Sequence, residues 1–258
     1  MPPNAIDLEL VHRRPPPLAD TRAEATTSEE SQMKVLSKEV FEKLASTDSP
    51  TVSNAIEATH HRPLIEGFAG PRVRCMFPAM GITLGYALTI QVDSTSPGPP
   101  AIGAGVRQMV ELLAEAPKPA VLVYQDIGPN PGGASIFGEF IATLVKRVGA
   151  IAVVTDGTVR DIAEVEALGF QYFANGATVS HGNARLVRIG VPVVVDGMYV
   201  EPGDIIHGDV NGVLNIPFEV ADQLPALIDE IKSSEHATIE FLKSKDFTID
   251  AALRRVGH

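Results

Sequence analysis

VLVYQDIGPNPGGASIFGEFIATLVKRVGAIAVVTDGTVRD, residues 121–161, is the stretch on which the fold turns. VLVYQD at 121–126 is an apolar run with a polar end and reads as a strand. IGPNPGG is a loop. Ile136, Phe137, Phe140, Ile141, Leu144, Val145 and Val148 then fall at helical spacing, which predicts a helix beginning near Gly133. AIAVVTDG at 150–157 is a second short apolar strand. Strand, glycine-bearing loop, helix and strand make a β-α-β unit, a kind whose sheet can be covered on both faces, and ligands favour the carboxyl ends of such strands.

Working outward, IAEVEALG after Asp161 reads as a short helix, followed by strands at QYFA, ARLVRI and VPVVV. Upstream, PRVRCMF at 71–77 and YALTIQV at 86–92 read as strands, and Ile102, Val106, Met109, Val110 and Leu113 have helical spacing. Two short helices are expected before them, over 35–47 and 51–60, the second capped by Thr51 or Ser53. Residues 1–34, with Pro15–Pro17 and a polar run, read as a loose arm, residues 35–219 as one α/β domain, and residues 220–258 as a helical tail, kinked near Pro225.

The 258-residue chain is acidic, with 32 Asp plus Glu against 21 Lys plus Arg, and carries no basic run, so a phosphate backbone would repel it. Nucleic-acid binding is disfavoured. One cysteine, Cys75, rules out an intrachain disulfide framework and a thiolate zinc cluster, and fits a reducing, cytoplasmic setting. No apolar run reaches the roughly 18 residues a bilayer span needs. There is no HExxH, GxSxG or GxxxxGK[ST]. His207 near Asp209 could ligate a metal, but IIHGDVNG looks more like a turn between strands.

Two segments carry candidate chemistry. In GGASIFGE, 132–139, adjacent glycines permit a tight turn, and the amides of a following helix start would suit a carboxylate or phosphate. In DGTVRD, 156–161, Arg160 offers a planar fork for an organic carboxylate, and Asp161 offers oxygens to a hard divalent cation. The plain alternative is an arginine–aspartate salt bridge closing a helix start. Glu139 could face the same crevice and relay a proton, or be a solvated charge. Asp126 could join the pocket or cap a turn.

PGGASIFGE, GAIAVVTDGTVRD and VPVVVDGMYVEPGDIIHGDVNGVLNIP, in that order, resemble the family containing the ribonuclease E activity regulator A proteins and the divalent-metal 4-hydroxy-4-methyl-2-oxoglutarate aldolases, some of which carried a menaquinone methyltransferase name. The likeness covers roughly residues 48 to 218. It implies a layered sheet core with flanking helices, similar to the swivelling phosphohistidine-type β/β/α domain, assembled as homotrimers or hexamers. It also implies a lyase that cleaves a 4-hydroxy-2-oxo acid to pyruvate with Mg2+ or Mn2+ and decarboxylates oxaloacetate.

By the same likeness Arg160 holds the keto acid, Asp161 ligates the metal, and Glu139 stands near metal-bound water. The amides of Gly133, Ala134, Ser135, Ile136 and Phe137 receive the substrate carboxylate. Acidic residues are expected from a neighbouring subunit, Glu235 being one candidate. VDGMYV and HGDVNG depart from the usual pattern. Regulators in the family bind a ribonuclease, so a non-catalytic, protein-binding role is the alternative.

Overall fold

The computed structural model describes residues 34–256. The arm expected over 1–34 falls, but for Lys34, outside them. In chain order the elements are α1 (Lys38–Ala45), α2 (Ser49–Ala58), β1 (Arg74–Cys75), β2 (Thr83–Asp93), α3 (Gly103–Glu115), β3 (Ala120–Asp126), β4 (Ser135–Phe137), α4 (Glu139–Arg147), β5 (Ala150–Thr155) and β6 (Thr158–Val159). They continue with α5 (Ile162–Leu168), β7 (Gln171–Ala174), β8 (Arg185–Ile189), β9 (Val193–Val195), β10 (Met198–Val200), β11 (Ile205–Asp209), β12 (Gly212–Ile216), α6 (Phe218–Ala221), α7 (Leu224–Lys243) and α8 (Ile249–Val256).

The main sheet runs β1-β7-β5-β3-β2-β11-β12. Its centre, β7-β5-β3-β2, is parallel, as the apolar runs and intervening helices require. β11 pairs antiparallel with the first half of β2 and β8 with the second half. The segment from Phe68 to Cys75 then links the two edges: Phe68 bridges to Leu214 on β12, and Arg74 and Cys75 pair with β7. The expected mixed α/β class holds, with the sheet curled into a nearly closed barrel instead of an open layer.

Alternation along the strands gives each face its own core. Val121 and Val123, Ala152 and Val154, Phe173 and Ile206 face inward, where Val193, Val195, Met198 and Val200 of the β9–β10 hairpin fill the space. Leu122, Tyr124, Val153 and Tyr172 face outward against α3, α4 and α5. A third cluster packs α1, α2, α6 and the start of α7 on β2, β11 and β12.

Four local expectations are corrected. The helix expected from near Gly133 begins at Glu139, because 135–137 instead pairs in parallel with β6 and Phe140 is 75% exposed. The cap of α2 is Asp48, whose side chain accepts from Thr51 N at 3.0 Å. The strand at 71–77 is reduced to two residues. Pro225 does not kink a helix; it sits in the first turn of α7, where its missing N–H costs nothing. No helix among the described residues is long and apolar enough to cross a membrane.

Candidate active site

The two glycine-bearing segments meet edge to edge. β4 and β6 form a parallel ladder, Ser135 opposite Thr158 and Phe137 opposite Val159. Arg160 N donates to Phe137 O at 2.9 Å, and Thr158 Oγ1 to Gly132 O at 3.2 Å. Residue 160 is thus fixed beside residue 138. Asp126 organises the approach: buried, it accepts from Ser94 Oγ at 2.6 Å and from Gly132 N at 2.9 Å through Oδ2, and from Gly128 N at 3.1 Å through Oδ1. Its role is the turn-forming one.

Asp161 precedes α5 in the left-handed region, φ 57°, a conformation that aspartate tolerates better than most residues. Its side chain does not cap its own helix. Instead Oδ2 accepts from Glu139 N, the first residue of α4, at 2.9 Å, and lies 3.5 Å from Arg160 Nε. Gly138 lies against both: a Cβ there would fall 2.5 Å from Asp161 Oδ2 and 2.9 Å from Arg160 Nε. Arg160, Asp161 and the backbone of Glu139 are therefore brought together. The Glu139 side chain is exposed at the start of α4.

The amides of the expected anion cradle are partly engaged. Gly133 N donates to Asn130 O at 3.0 Å and Ser135 N to Ser180 O at 2.8 Å. Ser135, Ile136 and Phe137 nevertheless line a cleft of about 440 Å3, together with Gly138, Phe140 and Arg160. Gly133, exposed, and Ala134, buried, lead into that strand. Val92 and Tyr124, near the carboxyl ends of β2 and β3, form part of the lining, in keeping with the rule for parallel sheets.

Sequence reasoning did not single out Gly138, Tyr172 or Arg185. Tyr172 is buried among Phe77, Phe137 and Phe170, and its hydroxyl donates to Arg160 O at 3.4 Å; burial first, and then nearby Asp161, raise its pKa. The QYFA strand was legible, but not which of its faces carries the tyrosine to Arg160. Arg185 lines the cleft but gives its guanidinium to the carbonyls of Ser96, Pro97 and Pro99 and to Asp93.

His207 is wholly buried, its Nδ1 3.0 Å from Ser49 Oγ and its Nε2 3.1 and 3.0 Å from the Leu44 and Thr47 carbonyls, so it is a structural group and not a ligand. Glu235 lies on α7, where Asn54 Nδ2 donates to it at 3.5 Å. Among the described residues no three His, Cys, Asp or Glu side chains are placed to share a metal ion. Neither Asp161 nor Glu139 lines the cleft itself; the carboxylate beside it is the partly exposed Asp161, set against the lining residues Gly138 and Arg160. It fits an ion such as Mg2+ that keeps most of its coordination from water and substrate.

A family model described as "RraA-like: Aldolase/RraA" matches residues 50–214. A protein of Halalkalibacterium halodurans provisionally named 4-hydroxy-4-methyl-2-oxoglutarate aldolase is 29% identical over 125 residues, 48% of this chain and 60% of that one, so the chain spans less than two thirds of that relative's length. An uncharacterised protein of Methanocaldococcus jannaschii is 36% identical over 153 residues, 59% of this chain and 67% of its own.

Among solved structures, an uncharacterised Pseudomonas syringae protein superposes with a TM-score of 0.68 at 21% identity, covering 90% of this chain and all of the other. Streptomyces coelicolor RraAS2, described as an unusual member of the RNase ES inhibitor RraA family, gives 0.63 at 20% identity, over 79% and 98% of the two chains. These likenesses agree with the barrel-like α/β fold. With the model match covering well over half of the chain, it belongs to the RraA-like family.

Proposed function

We propose that the protein is a divalent-metal-dependent lyase that cleaves a 4-hydroxy-2-oxo acid to pyruvate by a retro-aldol reaction, with oxaloacetate decarboxylation as a side activity. The observation that carries this reading is the convergence of Arg160, Asp161 and the start of α4 on Gly138 at the rim of the cleft. The aldolase name of a relative agrees with it.

In this reading Arg160 pairs its guanidinium with the substrate carboxylate and fixes the 2-oxo group beside Asp161. Asp161 would hold Mg2+ or Mn2+, and the ion would supply Lewis-acid stabilisation of negative charge on the C2 oxygen. Glu139, at the rim, accepts the C4 hydroxyl proton through water. Phe137 and Ile136 keep bulk water from the opposite side of the substrate. Loss of carbon dioxide from oxaloacetate gives the same pyruvate enolate without that proton transfer. Assembly as a homotrimer or hexamer would bring a neighbour's acidic groups to the rim, and a mass measurement in solution tests it.

Asp161→Asn tests the proposal cleanly, since the amide oxygen can still accept from Glu139 N while the charge is lost. We expect pyruvate release to fall about 100-fold or more with the melting temperature nearly unchanged. Wild-type turnover in the variant, in metal-defined buffer, would exclude Asp161 from the chemistry. The Asp161–Glu139 bond also favours a second reading, in which Asp161 only joins two helix starts in a non-catalytic regulator. In that case the wild-type protein releases no pyruvate from any 4-hydroxy-2-oxo acid or from oxaloacetate.

A further inference from the structure

We infer that the cleft selects 4-hydroxy-2-oxo acids whose C4 substituent is uncharged and apolar, so that the second product is an apolar aldehyde or ketone and not a second 2-oxo acid. The inference rests on the retro-aldol reading for the head group and goes beyond it for the tail.

A pyruvate unit has six non-hydrogen atoms. At the share of about 30 Å3 that a water-sized group takes in the liquid, it would fill less than half of the cleft, whose volume is about 440 Å3. What remains is walled by Ile102 and Val106 from α3, Phe140 and Ile141 from α4, and Leu186 from β8. No Asp or Glu is among the lining residues.

Three lining side chains can carry positive charge. Arg185 is held by three loop carbonyls and Asp93, and His181 has its Nδ1 2.8 Å from the Gly182 carbonyl and is exposed. Arg160 is the cation left to take a carboxylate, and the 2-oxo acid head uses it. The hydroxyl of Tyr124, at the floor, is turned to Met109 Sδ at 2.9 Å. A second carboxylate on C4 would therefore lie against hydrocarbon with no guanidinium left to pair with it, which is costly, whereas an alkyl or aryl group there gains from burial.

The reaction balances as an ordinary cleavage. The C4 hydroxyl gives up its proton and C4 becomes the carbonyl carbon of the departing aldehyde. The C3–C4 pair passes into the pyruvate enolate, and C3 takes up a proton to give pyruvate.

The test compares 4-hydroxy-2-oxo-4-phenylbutanoate with 4-hydroxy-2-oxoglutarate as substrates of the purified full chain with Mg2+. Beside it, calorimetry compares binding of the two uncleavable counterparts, 2-oxo-4-phenylbutanoate and 2-oxoglutarate. We expect kcat/KM and affinity both to favour the phenyl compound at least about tenfold. Phe140→Arg, a change at a 75% exposed position that the fold should tolerate, is expected to shift that preference toward the dicarboxylate by about tenfold or more.

Equal or better cleavage of the dicarboxylate would overturn the inference and leave the retro-aldol reading standing. Tighter binding of the phenyl compound with no pyruvate from either substrate would retire the retro-aldol reading and keep the apolar specificity. Equal binding of the two uncleavable acids would overturn the apolar specificity itself.

Discussion

A methyl group at residue 138 would lie 2.5 Å from Asp161 Oδ2 and 2.9 Å from Arg160 Nε, so both side chains would have to move. Gly138 has φ −150°, open to any residue, and the need for glycine is one of close approach. Gly138→Ala should therefore cost little in backbone strain, yet lower kcat/KM for pyruvate release by about 100-fold, because small misplacements of positioning groups are amplified in rate. Steady-state kinetics beside a melting curve checks both halves.

Asp156 is a different kind of residue. Burial first, against the hydrogen bond from Asp126 N and the pull of Arg72 and with the Asp126 charge adding to it, pushes its carboxyl up to about 6. Between about pH 4 and 6 the folded protein holds a proton that the unfolded chain has lost, so this contribution to stability fades as pH rises through 6. Asp156→Asn keeps an acceptor for Asp126 N, which the wild-type Oδ1 accepts at 2.9 Å. We expect it to stabilise the protein by about 1–2 kcal/mol at pH 7.5, an advantage that vanishes near pH 4, as read by denaturant unfolding at both values.

At the scale of elements, His207 ties the α1–α2 connection to β11 through Ser49 and the Leu44 and Thr47 carbonyls. His207→Ala should cost about 2 kcal/mol or more at pH 7.5 by taking the partner from the buried Ser49 hydroxyl and the Thr47 carbonyl, while Leu44 O keeps Thr47 N at 3.1 Å. Burial depresses the imidazole's proton affinity, so the wild type loses stability as pH falls below about 6.5, the unfolded value. The variant should show a shallower acid limb in the same titration.

The elements also show what could be read from the chain. VLVYQD and AIAVVT were legible because both faces of a central parallel strand are apolar, and the Met109–Leu113 spacing gave α3. The start of α4 was not. Ile136 and Phe137 sit at spacings compatible with a helix, but their partner, β6, is two residues long and lies 21 to 23 residues downstream. Such a short ladder leaves no periodicity. The pairing of Arg160 and Asp161 with Gly138 depends on that ladder, so both segments were legible as candidates while their edge-to-edge contact was not.

For the whole molecule, the β9–β10 hairpin is the plug of the barrel. Val193, Val195, Met198 and Val200 are each no more than 1% exposed. Met198→Ala opens a cavity that the surrounding strands cannot collapse into, and we expect a loss of about 2–4 kcal/mol, measured by equilibrium unfolding. The same loss should accompany substrate binding only weakly, since the cleft draws on the outward face of the sheet and the hairpin on the inward one.

The ribbon from Phe68 to Cys75 is stitched to β12 at its start and to β7 at its end. The β1 and β12 ends of the main sheet are thereby joined by the chain itself, which guards those two margins against strand-upon-strand accretion, the usual hazard of an open sheet. At those two margins, contact with a second copy would fall to helices and side chains, where single substitutions can tune it, and not to a shared backbone seam.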